Sequence, residues 1–156
     1  MTITARKALR DLELASELLD IEESEKRFRL LWVSAISLVR GVGHVLDKVD
    51  SKRSPELKQA ISKKYASWKN APKENKIFFE FIESERNSLL KEYEFGFLSG
   101  PIEIIATPEN ESFNIGENLF LPMSEGVYAG EDCRDVLGEA IAWWNLQLHQ
   151  IESAIT

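Results

Sequence analysis

The stretch FRLLWVSAISLVRGVGHVLDKV, from Phe28 to Val49, carries the strongest structural signal in the chain. Its mainly apolar positions recur alternately four and three residues apart, at Phe28, Trp32, Ala35, Val39, Val42, Leu46 and Val49. This spacing places them on one face of an α-helix and is typical of two helices packed side by side at a shallow angle. We therefore predict a long helix over about residues 22–49 that packs lengthwise against a neighbour.

Two glycines interrupt this long helix. Gly41 and Gly43 each cost about 1 kcal/mol relative to alanine inside a helix. We expect a neighbouring element to approach the helix closely at both positions, which would compensate for that cost. His44, beside Gly43, is interpreted as a histidine in the core or at its edge.

The other helices follow from similar patterns. Apolar periodicity predicts them over about residues 4–21, 54–68, 72–95 and 132–153. Ser54 and Asp132 are the predicted N-caps, and Pro55 suits the first turn that follows Ser54. The pair Trp143 and Trp144 is expected to pack in the core.

The segment from Gly96 to Gly130 differs from the rest, since it holds five of the eight glycines and three of the five prolines. Runs such as Ile102–Ile105 and Leu119–Leu121 suggest two short strands of one β-ribbon. The predicted fold class is mainly α: an antiparallel bundle of four or five helices, with a small β-ribbon or irregular insertion at about 96–130. Residues 1–156 are expected to form a single domain.

The composition of this 156-residue chain indicates its cellular compartment and whether it could span a membrane or bind zinc. Its longest apolar stretch, about residues 30–45, includes Arg40 and His44, so we expect no membrane-spanning segment. The single cysteine, Cys133, excludes an internal disulfide and fits a reducing compartment. A cytoplasmic location is therefore predicted. Two His and one Cys, far apart in the chain, form no zinc-binding pattern.

The net charge of −7 is unevenly distributed. Between Arg40 and Lys76 there are ten Lys or Arg against four Asp or Glu, whereas from Glu92 onward there are twelve acidic residues and one Arg. The overall sign argues against non-specific binding of duplex nucleic acid, which depends on neutralising phosphates. The basic middle segment either contacts an anionic partner or simply solvates a helix surface.

Arg86 is a charged residue at an apolar position of the predicted fourth helix. It falls four residues after Ile82 and three before Leu89, so helical spacing predicts it on the apolar stripe of the fourth helix. A guanidinium facing the core must be paired or hydrogen-bonded. Two interpretations stay open: an ion pair with a carboxylate, or a cleft where Arg86 binds phosphate through its planar fork.

The string RNSLLKEY, from Arg86 to Tyr93, resembles the signature of the HEPN superfamily of helical-bundle proteins. In that family an Arg is followed by a polar residue, often Asn, then by a His and commonly a Tyr. The long second helix, with Trp32 and Arg40, resembles the helix that packs against the motif. The likeness covers about residues 22–95.

The resemblance implies a homodimer of helical bundles with a cleft at the two-fold axis, without a cofactor. Many members cleave RNA without metal, as toxins or in phage defence. It implies catalytic roles for Arg86, Lys91 and Tyr93, and nucleic-acid binding by Arg86, Asn87 and Lys91. Lys91 stands where the family has His, and a lysine transfers a proton poorly near neutral pH. Binding of RNA or a nucleotide phosphate is therefore favoured over catalysis.

A second hypothesis belongs to another class. The acidic C-terminal half, with a balance of −11, suits a non-catalytic interaction module that docks a basic protein partner, such as an antitoxin-like protein. In that case Arg86 forms a structural ion pair. His149 is expected to be exposed, and no reactive role is expected for Cys133.

Overall fold

The computed structural model describes residues 1–99, 103–105, 112–114 and 120–156. These residues are mainly helical, with five α-helices: α1 (Ile3–Ile21), α2 (Glu25–Lys48), α3 (Pro55–Asn70), α4 (Ser84–Glu92) and α5 (Cys133–Ser153). Strands β1 (Glu103–Ile105) and β2 (Ser112–Asn114) pair antiparallel, with Ile104 opposite Phe113. The predicted mainly α, helical-bundle fold class is confirmed.

The apolar stripe of α2 forms the centre of the core. All of its predicted members are buried except Val49, which is 43% exposed because α2 ends at Lys48. Helices α1 and α2 form an antiparallel pair, and α5 packs against α1. The buried residues of α1 are Ala5, Leu9, Leu12, Ala15 and Leu19. Their three- and four-residue spacing matches the stripe of α2.

Aromatic side chains join α3 and α5 in the core. Trp68 contacts both tryptophans of α5, with ring centroids 4.8 Å from Trp143 and 5.7 Å from Trp144. The indole N–H of Trp144 donates to the backbone carbonyl of Val39 at 2.8 Å. The core role predicted for Trp143 and Trp144 is confirmed.

The predicted caps of α3 and α5 are present. The Ser54 hydroxyl accepts a hydrogen bond from the backbone N–H of Leu57 at 3.1 Å, and Pro55 occupies the first turn. The Asp132 carboxylate accepts from the backbone N–H of Arg134 at 2.9 Å. Each bond satisfies a backbone donor that the first helical turn leaves without a partner.

The fourth helix is shorter than predicted and begins with a different geometry. Residues 72–75 form turns, and residues 78–83 form a π-helical segment, the π turn, that continues into α4. The helix ends at Glu92 because Tyr93 adopts a left-handed backbone conformation with φ of 53°. The predicted range of 72–95 was therefore too long at both ends.

The 96–130 segment matches its prediction in part. Residues 103–105 form β1, but its partner is β2, not the predicted run 119–121. Phe120 and Leu121 belong to no strand. Ile102 and Leu119 lie outside the described residues.

By length and hydropathy alone, the helical stretch Glu25–Lys52 meets the criterion for a membrane span. Its apolar stripe is the buried face of α2, and a core helix of a bundle has the same composition. The predicted absence of a membrane association stays a prediction, as does the cytoplasmic location.

Candidate functional site

The charged residue that faces the core on α4 is Glu85, not Arg86. Glu85 is 5% exposed, and its Oε1 accepts hydrogen bonds from Trp32 Nε1 at 3.1 Å and from the backbone N–H of Gly96 at 2.8 Å. Burial raises the pKa of Glu85, and the two hydrogen bonds oppose that rise. A Cβ at Gly96 would lie 2.2 Å from Glu85 Oε2, so this contact requires glycine.

Arg86 is exposed, so its predicted place on the apolar stripe was wrong. Glu85 lies three residues after Ile82 and four before Leu89. Arg86 lies four residues after Ile82 and three before Leu89, so helical spacing to these two residues fits either position. Phe81 resolves the choice, since Phe81, Glu85 and Leu89 are four apart and all buried. A π turn holds more residues than an α turn, so α-helical spacing does not carry across residues 78–83.

The interpretation of Arg86 as a structural ion pair is also wrong. Its Nη1 donates to the side-chain oxygen of Asn87 at 3.3 Å, at the surface. None of the ion pairs between residues that the structure describes includes Arg86. Its full charge is therefore accessible to a ligand.

Arg86 lines a cleft between α2 and α4, which we call the α2–α4 cleft. Its volume is about 340 Å³, and it is lined by Ser37, Arg40, Gly41, His44, Arg86 and Leu90. Arg40 and His44 lie four residues apart on α2, so both side chains project from the same face of that helix. The cleft thus combines two guanidinium groups and an imidazole, and no carboxylate is among the described residues that line it.

A basic groove between α2 and α3 adjoins this cleft. Its first part, of about 550 Å³, shares Arg40 and His44 with the cleft and adds Lys48 and Lys69. Its second part, of about 710 Å³, shares Lys48 with the first and adds Lys52, Arg53 and Lys58. Asp47 is the one carboxylate among the described residues that line the two parts. We call the two parts together the α2–α3 groove.

Tyr65 forms part of the wall of the groove. Its hydroxyl donates to the backbone carbonyl of Gly43 at 2.9 Å, and its ring lies 4.5 Å from that of Trp68. Burial raises the pKa of Tyr65 to about 12, so the hydroxyl stays protonated and keeps this bond near neutral pH. The wall is therefore fixed by contacts with the core.

The remaining motif residues are only partly assembled. Asn87 lies beside Arg86, as the resemblance implies, but Lys91 and Tyr93 are not among the residues that line the cleft. Lys91 is five residues beyond Arg86, roughly 140° around the helix. Tyr93 is 58% exposed and packs edge-to-face on Phe95, with centroids 5.4 Å apart.

The two glycines of α2 have different surroundings. A Cβ at Gly43 would lie 3.0 Å from Trp144 Cη2 and 3.1 Å from the Tyr65 hydroxyl, so the expected close approach is confirmed there. A Cβ at Gly41 would meet no atom within 4 Å, so that expectation was wrong. Gly41 instead borders the α2–α4 cleft, where the lack of a side chain leaves room.

Sequence reasoning missed Arg40 and His44 as partners of Arg86. Their spacing with Lys48, at positions 40, 44 and 48, was a signal of one basic helix face opposite the apolar stripe. The pairing of α2 with α4, which brings this face to Arg86, has no signature in local spacing. His44 is exposed, not in the core, and His149 is exposed as predicted.

Other candidate groups are inert or dispersed. Cys133 is fully buried, and burial raises its pKa, which disfavours the reactive thiolate. Among the residues that the structure describes, no group of three or more His, Cys, Asp or Glu is placed to hold a metal ion. Asp132 is engaged by Arg134 and by the backbone N–H of Leu121.

Comparison with protein-family models, with curated proteins and with solved structures found no match for this chain.

Proposed function

We propose that this chain binds a phosphate group of RNA or of a nucleotide in the α2–α4 cleft, as a HEPN-like protein. The observation that carries the proposal is that Arg86 shares one cleft with Arg40 and His44 and forms no ion pair with a described carboxylate. Arginine recognises phosphate through its planar fork of N–H donors. Two guanidinium groups on one cleft repel each other, and a bound phosphate anion would relieve that repulsion.

The chain offers a matched pair of variants to test the proposal. Arg86 and Lys91 are both exposed cations on α4, but only Arg86 is among the residues lining the cleft. Arg86→Ala should weaken binding of a fluorescein-labelled RNA oligonucleotide about tenfold in fluorescence anisotropy, the loss of one charge-assisted contact. Lys91→Ala should leave it within about twofold.

Equal losses in both variants would mean that net charge, not the cleft, governs binding. No RNA binding by the wild-type protein would exclude the proposal. A co-purifying basic protein whose binding ignores Arg86→Ala would favour the interaction-module hypothesis instead.

Cleavage is a separate question from binding. His44, and not Lys91, lines the cleft with Arg86, and histidine is the residue type that exchanges protons near neutral pH. A ribonuclease assay in the presence of a chelator would compare His44→Gln with His149→Gln, a change at the other exposed histidine. Activity lost in the first variant alone would support a metal-independent ribonuclease. Absence of activity in wild type would leave a binding protein.

The family resemblance further implies a homodimer in which the Arg86 residues of two copies approach each other. Because Cys133 is the single cysteine and is buried, Asn87→Cys would introduce the one exposed thiol of the described residues. Crosslinking with a short bismaleimide should give a dimer at high yield if the two sites face each other. Glu17→Cys, on the exposed side of α1, is the control that should stay monomeric.

A further inference from the structure

The α2–α4 cleft and the α2–α3 groove are neighbours that adjoin along Arg40 and His44. The cleft shares Arg40 and His44 with the first part of the groove, and that part shares Lys48 with the second. We infer that the two together bind consecutive phosphates of one single-stranded polynucleotide, which enters at Arg86 and follows α2 toward Arg53. This inference rests on the proposed phosphate site and extends it from one phosphate to a row.

The length of the groove sets the length of the ligand. From Arg40 to Lys48 α2 rises about 12 Å, and the 3₁₀ turn Asp50–Lys52 adds at most about 6 Å, so the line of cations spans up to about 18 Å. A stacked strand advances about 3.4 Å per nucleotide. The groove therefore accommodates about five nucleotides, and a mononucleotide would leave most of its cations without a ligand.

Most cations of the groove are available for such a strand, but Arg53 is paired with the buried Asp50, with its Nε 3.0 Å from Oδ1. Lys52, Lys58 and Lys69 are exposed and form no ion pair with the carboxylates that the structure describes. Lys48 pairs with Asp47 at 2.7 Å, with both side chains at least half exposed, so little free energy is lost when a phosphate replaces that carboxylate.

A single strand fits the charge distribution better than a duplex. The basic residues follow one line between two helices, whereas the chain as a whole carries −7. A duplex presents a second row of phosphates outside the groove, where the net negative charge of the chain opposes it. RNA and single-stranded DNA present the same row of phosphates, so both belong to the ligand class.

The test is a length series of 5′-phosphorylated, 3′-labelled oligouridylates, so that each strand carries one phosphate per nucleotide, measured by anisotropy from about 50 to about 200 mM salt. Affinity should rise from the dinucleotide to the pentanucleotide and then level off. With about five phosphates neutralised, the pentanucleotide should lose about 100-fold in affinity over this range, and the dinucleotide less than about tenfold.

The double variant Lys52→Ala/Lys58→Ala should lower the salt slope of the pentanucleotide by about 1.4 and leave dinucleotide affinity unchanged. Lys7→Ala/Lys26→Ala, at exposed positions on α1 and at the start of α2, is the control that should change neither. Deoxyuridylate and uridylate strands should both depend on Lys52 and Lys58.

If dinucleotide binding depends on Arg86 but longer strands bind no more tightly, the inference that the groove binds a strand is overturned. The proposed phosphate site would remain. Strand binding that depends on Lys52 and Lys58 but not on Arg86 would overturn the proposed site. Equal affinity for a duplex of the same length, or for polyglutamate with the same variant dependence, would overturn the single-strand inference.

Discussion

The indole N–H of Trp32 on α2 donates a hydrogen bond to Oε1 of Glu85 on α4, at 3.1 Å, and both side chains are buried. This bond fixes α4 against α2. It also fixes the rotation of α4, because Glu85 faces inward and its neighbour Arg86 must then face the surface beside Arg40. A buried carboxylate thus orients the exposed cation of the candidate site.

The first prediction concerns the protonation of Glu85. Because burial raises its pKa, the folded protein retains this proton at pH values where the unfolded chain has released it. The contribution of this proton to the free energy of unfolding is fully present below the pKa of Glu85 in the unfolded chain. It is lost as pH rises through the pKa of Glu85 in the folded protein. Glu85→Gln has no proton to lose and keeps an acceptor for Trp32.

The free energy of unfolding of Glu85→Gln minus that of wild type should therefore grow with pH and level off above the folded pKa. Urea denaturation from about pH 4 to about pH 8 measures this difference. Glu92→Gln, exposed at the end of α4, is the control for the loss of one carboxylate from this helix. Glu85→Ala should cost about 3 kcal/mol, since it leaves the Trp32 and Gly96 donors without an acceptor. A difference independent of pH would contradict the account.

The second prediction contrasts the two glycines of α2. Gly41→Ala should stabilise the protein by up to about 1 kcal/mol, because alanine favours the helix and its Cβ meets nothing within 4 Å. Gly43→Ala should destabilise it by about 1 kcal/mol, because Trp144 is buried, is held by its bond to Val39, and cannot move away. Thermal unfolding of both variants measures the opposite signs. An increase in thermal stability in both variants would show that Trp144 can shift.

A third prediction uses Gly41 to block the candidate site. Gly41→Leu adds a bulky side chain to the α2–α4 cleft and should weaken RNA binding at least about fivefold. Gly138→Leu is the matched control, since Gly138 is a helical glycine on α5 that also has open space around it. Both variants should be at least as stable as wild type. Unchanged RNA affinity in Gly41→Leu would place the ligand elsewhere.

The sequence was sufficient to predict the helices that the core defines. Apolar spacing located α2 and α5 within a few residues because a long helix must bury one continuous stripe. Ser54 and Asp132 were recognisable because helix N-termini require side-chain acceptors.

The candidate site was harder to predict, for two physical reasons. A π turn changes the number of residues per turn, so spacing could not choose between Glu85 and Arg86. The cleft also depends on which face of α2 meets α4, and that is decided by tertiary contacts such as the one between Trp32 and Glu85. Arg40 and His44 therefore entered as site residues only when the packing was known.

The most direct test of the central claim is a double-mutant cycle between Arg40 and Arg86. RNA affinity would be measured for wild type, Arg40→Ala, Arg86→Ala and the double variant, with thermal unfolding to confirm that each is folded. If both guanidinium groups hold one phosphate, each single change should weaken binding about tenfold. The double change should then cost less than the sum of the two, by about 1 kcal/mol. Losses that add without coupling, or no loss in Arg86→Ala, would contradict a shared phosphate site in the α2–α4 cleft.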